Sequence, residues 1–369
     1  PEALQNFGMN LSRQGRWGEA IAYYEQAARL EPDNPEVHRS LAYVLLGAGD
    51  YARGWPEHEW RLRCRPLRGV QVNRTFWNGD DFRNQTILLH HEQGYGDTLQ
   101  FIRFAPLVKR RGGRVVVLCQ PALLKLVARC PGIDVVFEGT SYEPECHVHA
   151  PLMSLPAIVG TTLATLPAQV PYLFADRALV DHWRSELAGA LKLAAGANSR
   201  VPERSGLGEP ARPFLIGIAW QGRPEHDGDR WRSFALAQFA PLADLPGVRL
   251  ISLQVGDGRD QAQATGGRFP VIDLPGRRGR DFSETAAIMC SLDLVISPDT
   301  AVAHLAGGLG IPIWVALPYS SDWRWLSGRD DSPWYPTARL FRQAKPGEWG
   351  PVFERMAEAL KRVLGRQAA

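Results

Sequence analysis

From Thr86 onward, short apolar runs alternate with helix-patterned segments, and they do so in two blocks. In the first block, residues 86–91, 114–119, 133–137 and 146–150 read as strands, with helices at 99–111 and 121–129. In the second, strands fall at 214–220, 248–255, 293–296, 312–317 and 339–342, with helices at 236–243, 282–292 and 350–364. That order is the grammar of an α/β fold with parallel sheets. A helix is expected at 176–195. The next stretch, 196–213, is rich in Gly, Pro, Ser and charge and reads as a linker. A chain of 369 residues, 45% hydrophobic and 22% charged, is long enough for two or three folded domains. Two doubly wound halves joined by a linker would place their strand C-terminal ends on a shared cleft.

A different pattern precedes these blocks. Leu4, Phe7, Gly8 and Leu11 are followed by Ala20, Tyr24, Ala27 and Pro32. These are the spacings of a tetratricopeptide repeat, a helix pair of ~34 residues in which small residues permit close approach and large ones fill the groove. A second unit opens at Asn34-Pro35 with His38, Leu41, Ala42 and Leu45. Its second helix departs from the pattern: Gly54 and Pro56 stand at packing positions, and Trp55 and Trp60 come next. This reads as a terminal repeat modified to dock on the next domain. One and a half repeats cannot form the long concave surface of such arrays, so either further repeats precede Pro1 or this piece is a cap.

Composition narrows the class of partner. A net charge of +3 does not call for nucleic acid or an anionic membrane. The basic clusters Lys109-Arg110-Arg111 and Arg277-Arg278-Gly279-Arg280 read as a solvated helix end and a loop. No apolar run reaches the length of a membrane span, and no signal-peptide core opens the chain, so the expected location is cytoplasmic. Cys64, Cys119, Cys130, Cys146 and Cys290 form no close pair and read as reduced thiols. His90-His91 and His147-x-His149 lack an accompanying carboxylate or thiolate cluster, so no metal site is expected.

The densest chemistry lies at 293–307. Asp293-Leu294-Val295-Ile296 reads as a short buried strand, Pro298 bars extension of its ladder, and Asp299 or Thr300 can cap the ensuing helix. Such a junction aims backbone N–H groups and the positive end of a helix dipole at one spot, which suits phosphate. Thr300 adds a hydroxyl there, and His304 falls one turn later on the same face. An ordinary capped junction with a core histidine fits the same residues.

Other loops leave predicted strands in the same way. In Gln93-Gly94-Tyr95-Gly96-Asp97-Thr98 the glycines permit φ > 0 and close approach to a ligand, and Asp97 or Thr98 can cap the next helix. A carboxylate at the mouth of a cleft, here Asp97, can act as general base on an acceptor hydroxyl. Trp220-Gln221-Gly222-Arg223-Pro224 leads to Asp229-Arg230-Trp231-Arg232-Ser233, where Arg230 or Arg232 can reach a diphosphate bidentately. Gln254 ends another strand and can meet a nucleoside. The aromatic-dense loops 318–325 and 332–335 are candidate cleft walls, or simply the packing that anchors long loops.

Taken together, Gly96-Asp97-Thr98-Leu99-Gln100 after a strand and Ser297-Pro298-Asp299-Thr300-Ala301-Val302-Ala303-His304-Leu305-Ala306-Gly307 resemble the ADP-heptose–lipopolysaccharide heptosyltransferase family. With repeats in front, the chain resembles bacterial repeat-fused glycosyltransferases, related in plan to O-linked N-acetylglucosamine transferases and flagellin-modifying enzymes. The resemblance covers residues 1–60 and 86–364. It implies a GT-B fold, two Rossmann-like domains facing a cleft, behind an all-α tetratricopeptide segment. The implied domains are 1–65 for the repeats, 66–195 for the acceptor side, a linker at 196–213, and 214–369 for the donor side, with the final helix crossing back.

The resemblance also implies inverting, metal-independent transfer, with no cofactor besides the nucleoside-diphosphate sugar as co-substrate. Asp97 corresponds to the family's proposed base, and Asp299, Thr300, Ala301 and His304 to its donor-phosphate loop. Gly94, Gly96, Gln221 and Gln254 complete the expected donor-binding set. Where the family places a lysine on the phosphates, this chain offers Arg230 or Arg232, which points to another sugar nucleotide. By analogy the repeats lean toward a protein acceptor. The competing readings are a catalytically idle scaffold that binds partners through its repeats, and an enzyme that cuts or epimerises a sugar nucleotide.

Overall fold

The computed structural model describes residues 1–64, 72–139, 146–197, 212–264, 269–274 and 281–367. The chain divides into two units, one formed by 1–174 with 319–336 and the other by 175–318 with 337–369.

The first unit opens with four helices, α1 (Glu2–Arg13), α2 (Trp17–Leu30), α3 (Pro35–Gly47) and α4 (Tyr51–His58). Gly8 lets α1 meet α2, because a Cβ there would lie 2.8 Å from the Tyr24 ring. Leu11, Ala20, Tyr24, Leu41, Val44 and Leu45 form the core of the helical segment. Asn34 starts α3: its side chain accepts from the N–H groups of Glu36 and Val37, with Pro35 in the first turn where no donor is lost. Pro56 lies inside the eight-residue α4, which passes into a 3-10 turn at Glu59–Arg63. Trp55 is buried, with its ring against those of Tyr51, Phe101, Trp323 and Trp334, so the altered second helix does dock on the α/β part of the first unit.

The first sheet contains β1 (Thr75–Phe76), β2 (Thr86–His90), β3 (Arg114–Cys119), β4 (Val135–Glu138) and β5 (Val148–Pro151). All neighbours are parallel, in the order β1-β5-β2-β3-β4. The helix expected from residue 99 begins earlier, as α5 (Tyr95–Phe101), because Gly94 takes the N-cap position and Asp97 reaches back to its N–H. It then breaks into a 3-10 turn at Ile102–Phe104 and a short helix at Ala105–Lys109. Pro106 has no N–H to continue the ladder.

The second unit holds β6 (Phe214–Ile218), β7 (Val248–Ser252), β8 (Val271–Ile272), β9 (Leu294–Pro298), β10 (Ile313–Leu317) and β11 (Ala338–Arg342). They are parallel in the order β11-β10-β9-β6-β7-β8. Every position of β9 and β10 is buried, as in a sheet covered on both faces. Pro298 stands opposite Ala316 as the last residue of β9, where its missing donor costs the ladder little.

Three placements differ from the sequence reading. The helix Arg177–Ala197, expected with the first domain, belongs to the second unit and packs on the helix Phe282–Met289. The closing helix Gly350–Gln367, expected to cross back, seats Val352, Phe353, Met356 and Leu360 in the second sheet's core beside Phe234 and Phe239. The segment 319–336, expected with the second domain, belongs to the first unit instead. The expected linker lies mostly outside the described residues, as does the basic cluster at 277–280. Among the described residues, no helix is long and apolar enough to cross a membrane.

Candidate functional site

In each sheet the strand order reverses about a central strand. β2 is flanked by β3 and β5, and β6 by β7 and β9. At such a reversal, successive connections leave toward opposite faces and open a crevice at the strand C-terminal ends, where doubly wound sheets bind ligands. The candidate site residues divide between these two places. Asp97, Gly94 and Gly96 come after β2, while Gln221, Arg230, Arg232, Asp299, Thr300, Ala301 and His304 come after β6 and β9.

In the first unit, Asp97 Oδ2 accepts from the Gly94 N–H at 2.9 Å, and Oδ1 accepts from Arg324 Nη2 at 2.5 Å. Arg324 is itself held on three sides. Its Nε donates to Gln100 Oε1 at 2.8 Å, its Nη1 donates to Asp322 Oδ1 at 2.9 Å, and its guanidinium lies 4.3 Å from the Trp323 ring centre. The glycines play another part than expected. Gly94 has φ −71° and Gly96 lies within α5, so neither uses the left-handed region. Thr98 is not a cap; its hydroxyl donates to Gln120 Oε1 at 2.9 Å.

Below this loop sits an ion pair that local sequence patterns do not announce. Arg61, from the 3-10 turn after α4, grips Glu92 through Nη2–Oε1 at 2.7 Å and Nε–Oε2 at 3.1 Å, and also donates to Ser154 Oγ at 2.8 Å. Burial pushes the Glu92 carboxyl up, and the Arg61 charge opposes that shift. Arg61 and Glu92 are 31 residues apart, so only the fold pairs them.

In the second unit, Arg232 Nη1 donates to the Asp299 carbonyl at 2.7 Å, and its Nε donates to Asp229 Oδ1 at 3.2 Å. Ser233 Oγ donates to Asp229 Oδ2 at 2.9 Å and accepts from the Gly222 N–H at 2.9 Å. Gly222 fits because a Cβ would lie 2.2 Å from Asp229 Oδ1. Thr300 takes the N-cap position of the helix Ala301–Gly308, but its side chain makes no capping hydrogen bond. The Thr300 hydroxyl instead lies 3.1 Å from Ser297 Oγ. The Ala303 N–H donates to the Thr300 carbonyl at 3.0 Å, and the positive end of this helix, with Arg232 bonded to the residue two before it, is an arrangement suited to an anion. His304 is buried, with Nε2 3.8 Å from Asp299 Oδ1.

The two arginines lie in different surroundings. Arg230 is exposed, its guanidinium 4.8 Å from the Trp231 ring centre, while Arg232 is the one at the 299–301 turn. The Gln254 side-chain amide, expected at a nucleoside, is engaged within the protein. Its Oε1 accepts from the N–H groups of Trp220 and Gln221, and its Nε2 donates to the carbonyls of Gln221 and Asp257. It clamps the loop that carries Gln221, whose own Oε1 accepts from Gln261 Nε2 at 3.3 Å. Asp229, itself held by Ser233, orients Arg232, a role that no local sequence pattern announces.

Residues 11–49 match the family model of the TPR repeat. The chain is 28% identical to Protein FlbA of Caulobacter vibrioides, over 91% of this chain and 57% of that protein, and so spans little more than half the length of that curated relative. Among solved structures, it is similar to E. coli ADP-heptose lps heptosyltransferase II, with TM-score 0.52 and 12% identity over 77% of this chain and all of that one (100%). It is also similar to the glycosyl transferase family 9 structure from Veillonella parvula, with TM-score 0.50 and 12% identity over 72% and 88% of the two chains. The fold is therefore that of the GT-B enzymes, two parallel-sheet domains preceded here by a helical TPR segment.

Proposed function

We propose that this chain is an inverting glycosyltransferase that moves a sugar from a nucleoside-diphosphate sugar to an acceptor hydroxyl without a metal, and that the acceptor is a protein reached through the repeats. The observation that carries this reading is the pairing of chemistries at the two strand reversals. One, in the first unit, offers a carboxylate, Asp97; the other, in the second unit, offers a helix N-terminus with Arg232 beside it. The diphosphate lies at the N-terminus of Ala301–Gly308 and against the Arg232 guanidinium, and the helix dipole and that charge stabilise the negative charge that grows as it departs. Each Asp97 oxygen accepts one hydrogen bond and keeps a further lone pair. In the displacement, the acceptor oxygen bonds to the anomeric carbon, the carbon–phosphate oxygen bond breaks, and the hydroxyl proton passes to Asp97.

The test begins with thermal stabilisation by a panel of sugar nucleotides, since a ligand bound to the folded state alone raises Tm. The stabilising nucleotide is then assayed for nucleoside diphosphate release with and without acceptor proteins, and in the presence of a chelator. Asp97→Asn should lower turnover ~100-fold or more, as expected for loss of a general base, while the stabilisation by nucleotide persists. Stabilisation by none of the panel would favour the scaffold reading. Release without any acceptor would favour a hydrolase or epimerase, and turnover surviving in Asp97→Asn would remove the base.

A further inference from the structure

The segment 319–336 lies between the repeat helices and α5, bonded to both. Toward the repeats, the Ser327 N–H donates to the Gly47 carbonyl at 3.0 Å, Tyr43 Oη to the Ser321 carbonyl at 3.3 Å, and Trp334 Nε1 to Tyr51 Oη at 2.9 Å. Toward α5, Arg324 holds Asp97 and Gln100, and Arg103 Nη1 donates to the Trp334 carbonyl at 2.6 Å. Trp55 of α4 completes the sandwich, its ring 5.5 Å from that of Trp323 and 6.3 Å from that of Trp334.

Two features show that this arrangement is imposed rather than relaxed. Leu326, two residues after Arg324, has φ +49°, a conformation a leucine keeps only where its surroundings dictate it. Gln100 is fully buried and its Nε2 has no partner among the described residues, while its Oε1 accepts from Arg324. Burying an unpaired amide donor is unfavourable. The fold accepts that loss and keeps the amide turned toward the guanidinium.

We propose that Arg324 is the positioning residue for Asp97, and that the repeat helices control it through the 319–336 strap, making the repeats a working part of the acceptor-side site. The inference rests on the proposed function only for the role of Asp97. Without Arg324, Oδ1 loses its partner and the carboxylate can turn away, and misplacement of a reacting group by about 1 Å costs ~100-fold in rate.

The test compares Arg324→Ala, Arg324→Lys and Tyr51→Phe with the unaltered protein, reading kcat, donor KM and amide hydrogen exchange at residues 94–98. Arg324→Ala should lose ~100-fold in kcat at unchanged donor KM, and added guanidinium should restore part of it. Lysine, a point charge that cannot hold Asp97 and Gln100 together, should fall between. Tyr51→Phe, which removes only the acceptor of Trp334 Nε1, should speed exchange at 94–98. Full kcat in Arg324→Ala, or no rescue by guanidinium, overturns the positioning role; unchanged exchange in Tyr51→Phe overturns the link to the repeats. Exchange needs no turnover, so it decides the link even if no donor is ever transferred, which would instead sink the proposed function.

Discussion

Arg230 and Arg232 stand two residues apart, yet one lies over an exposed indole and the other donates to the Asp299 carbonyl. A charge-assisted hydrogen bond contributes ~1.5–3 kcal/mol. Arg232→Met should therefore weaken nucleoside diphosphate binding by ~10- to 100-fold, and Arg230→Met should leave it within about twofold; isothermal titration reads both. His90 makes a separate prediction about pH. Burial first, and then the neighbouring His149, lowers its imidazole to about 4 from 6.5. Below pH 6.5 the unfolded chain takes up a proton that the native state refuses. The stabilisation is therefore complete above pH 6.5 and fades as the pH falls toward 4, by ~3 kcal/mol in all. Urea midpoints at pH 7 and 4.5 should show the loss, and His90→Gln should flatten it. Chemical type was legible at this scale, but direction was not. Nothing in the order Arg-Trp-Arg says which guanidinium turns inward, and nothing around Gln254 says that its amide is spent on four backbone groups.

At the scale of elements, Gly222 links two of them. A methyl at this position would meet Asp229 Oδ1 at 2.2 Å and Arg232 Nη2 at 2.9 Å. Gly222→Ala should push the Asp229–Arg232 pair off the loop, at a cost of ~1–3 kcal/mol in stability, and weaken nucleotide binding alongside; chemical denaturation and titration on the same variant check both. The strands β2, β3, β9 and β10 were readable because buried parallel strands are near-continuous apolar runs. The two-residue strands β1 and β8 were not, being too short to carry a period. α5 starts four residues before its expected first residue because its N-cap is a glycine, whose contribution is a bare N–H offered to Asp97. A side-chain capping signal is what a sequence shows, and this cap has none.

At the largest scale, the helical segment shares a buried aromatic cluster with α5 and the segment 319–336. Trp55 sits among Tyr51, Phe101, Trp323 and Trp334. Trp55→Ala should cost ~3–5 kcal/mol and should lower the unfolding midpoints of the repeats and of the first sheet together, seen by hydrogen exchange in α3 and β2. Separate unfolding of α3 would show that the repeats are an independent module.

By itself the sequence determined the kinds of element and their order: a tetratricopeptide pattern, then two blocks of strand and helix, with an anion-suited turn at 297–301 and a carboxylate at 97. Those are local matters, written in the spacing of apolar, small and capping residues. Only the tertiary structure decided that Arg324 holds Asp97, that Arg61 holds Glu92, that the helix Arg177–Ala197 packs on Phe282–Met289, and that the closing helix packs in the second sheet's core. Asp97 and Arg324 are 227 positions apart. Pairings at such separations are chosen by which buried surfaces and charges satisfy one another once the sheets have formed, and no window along the chain contains both partners.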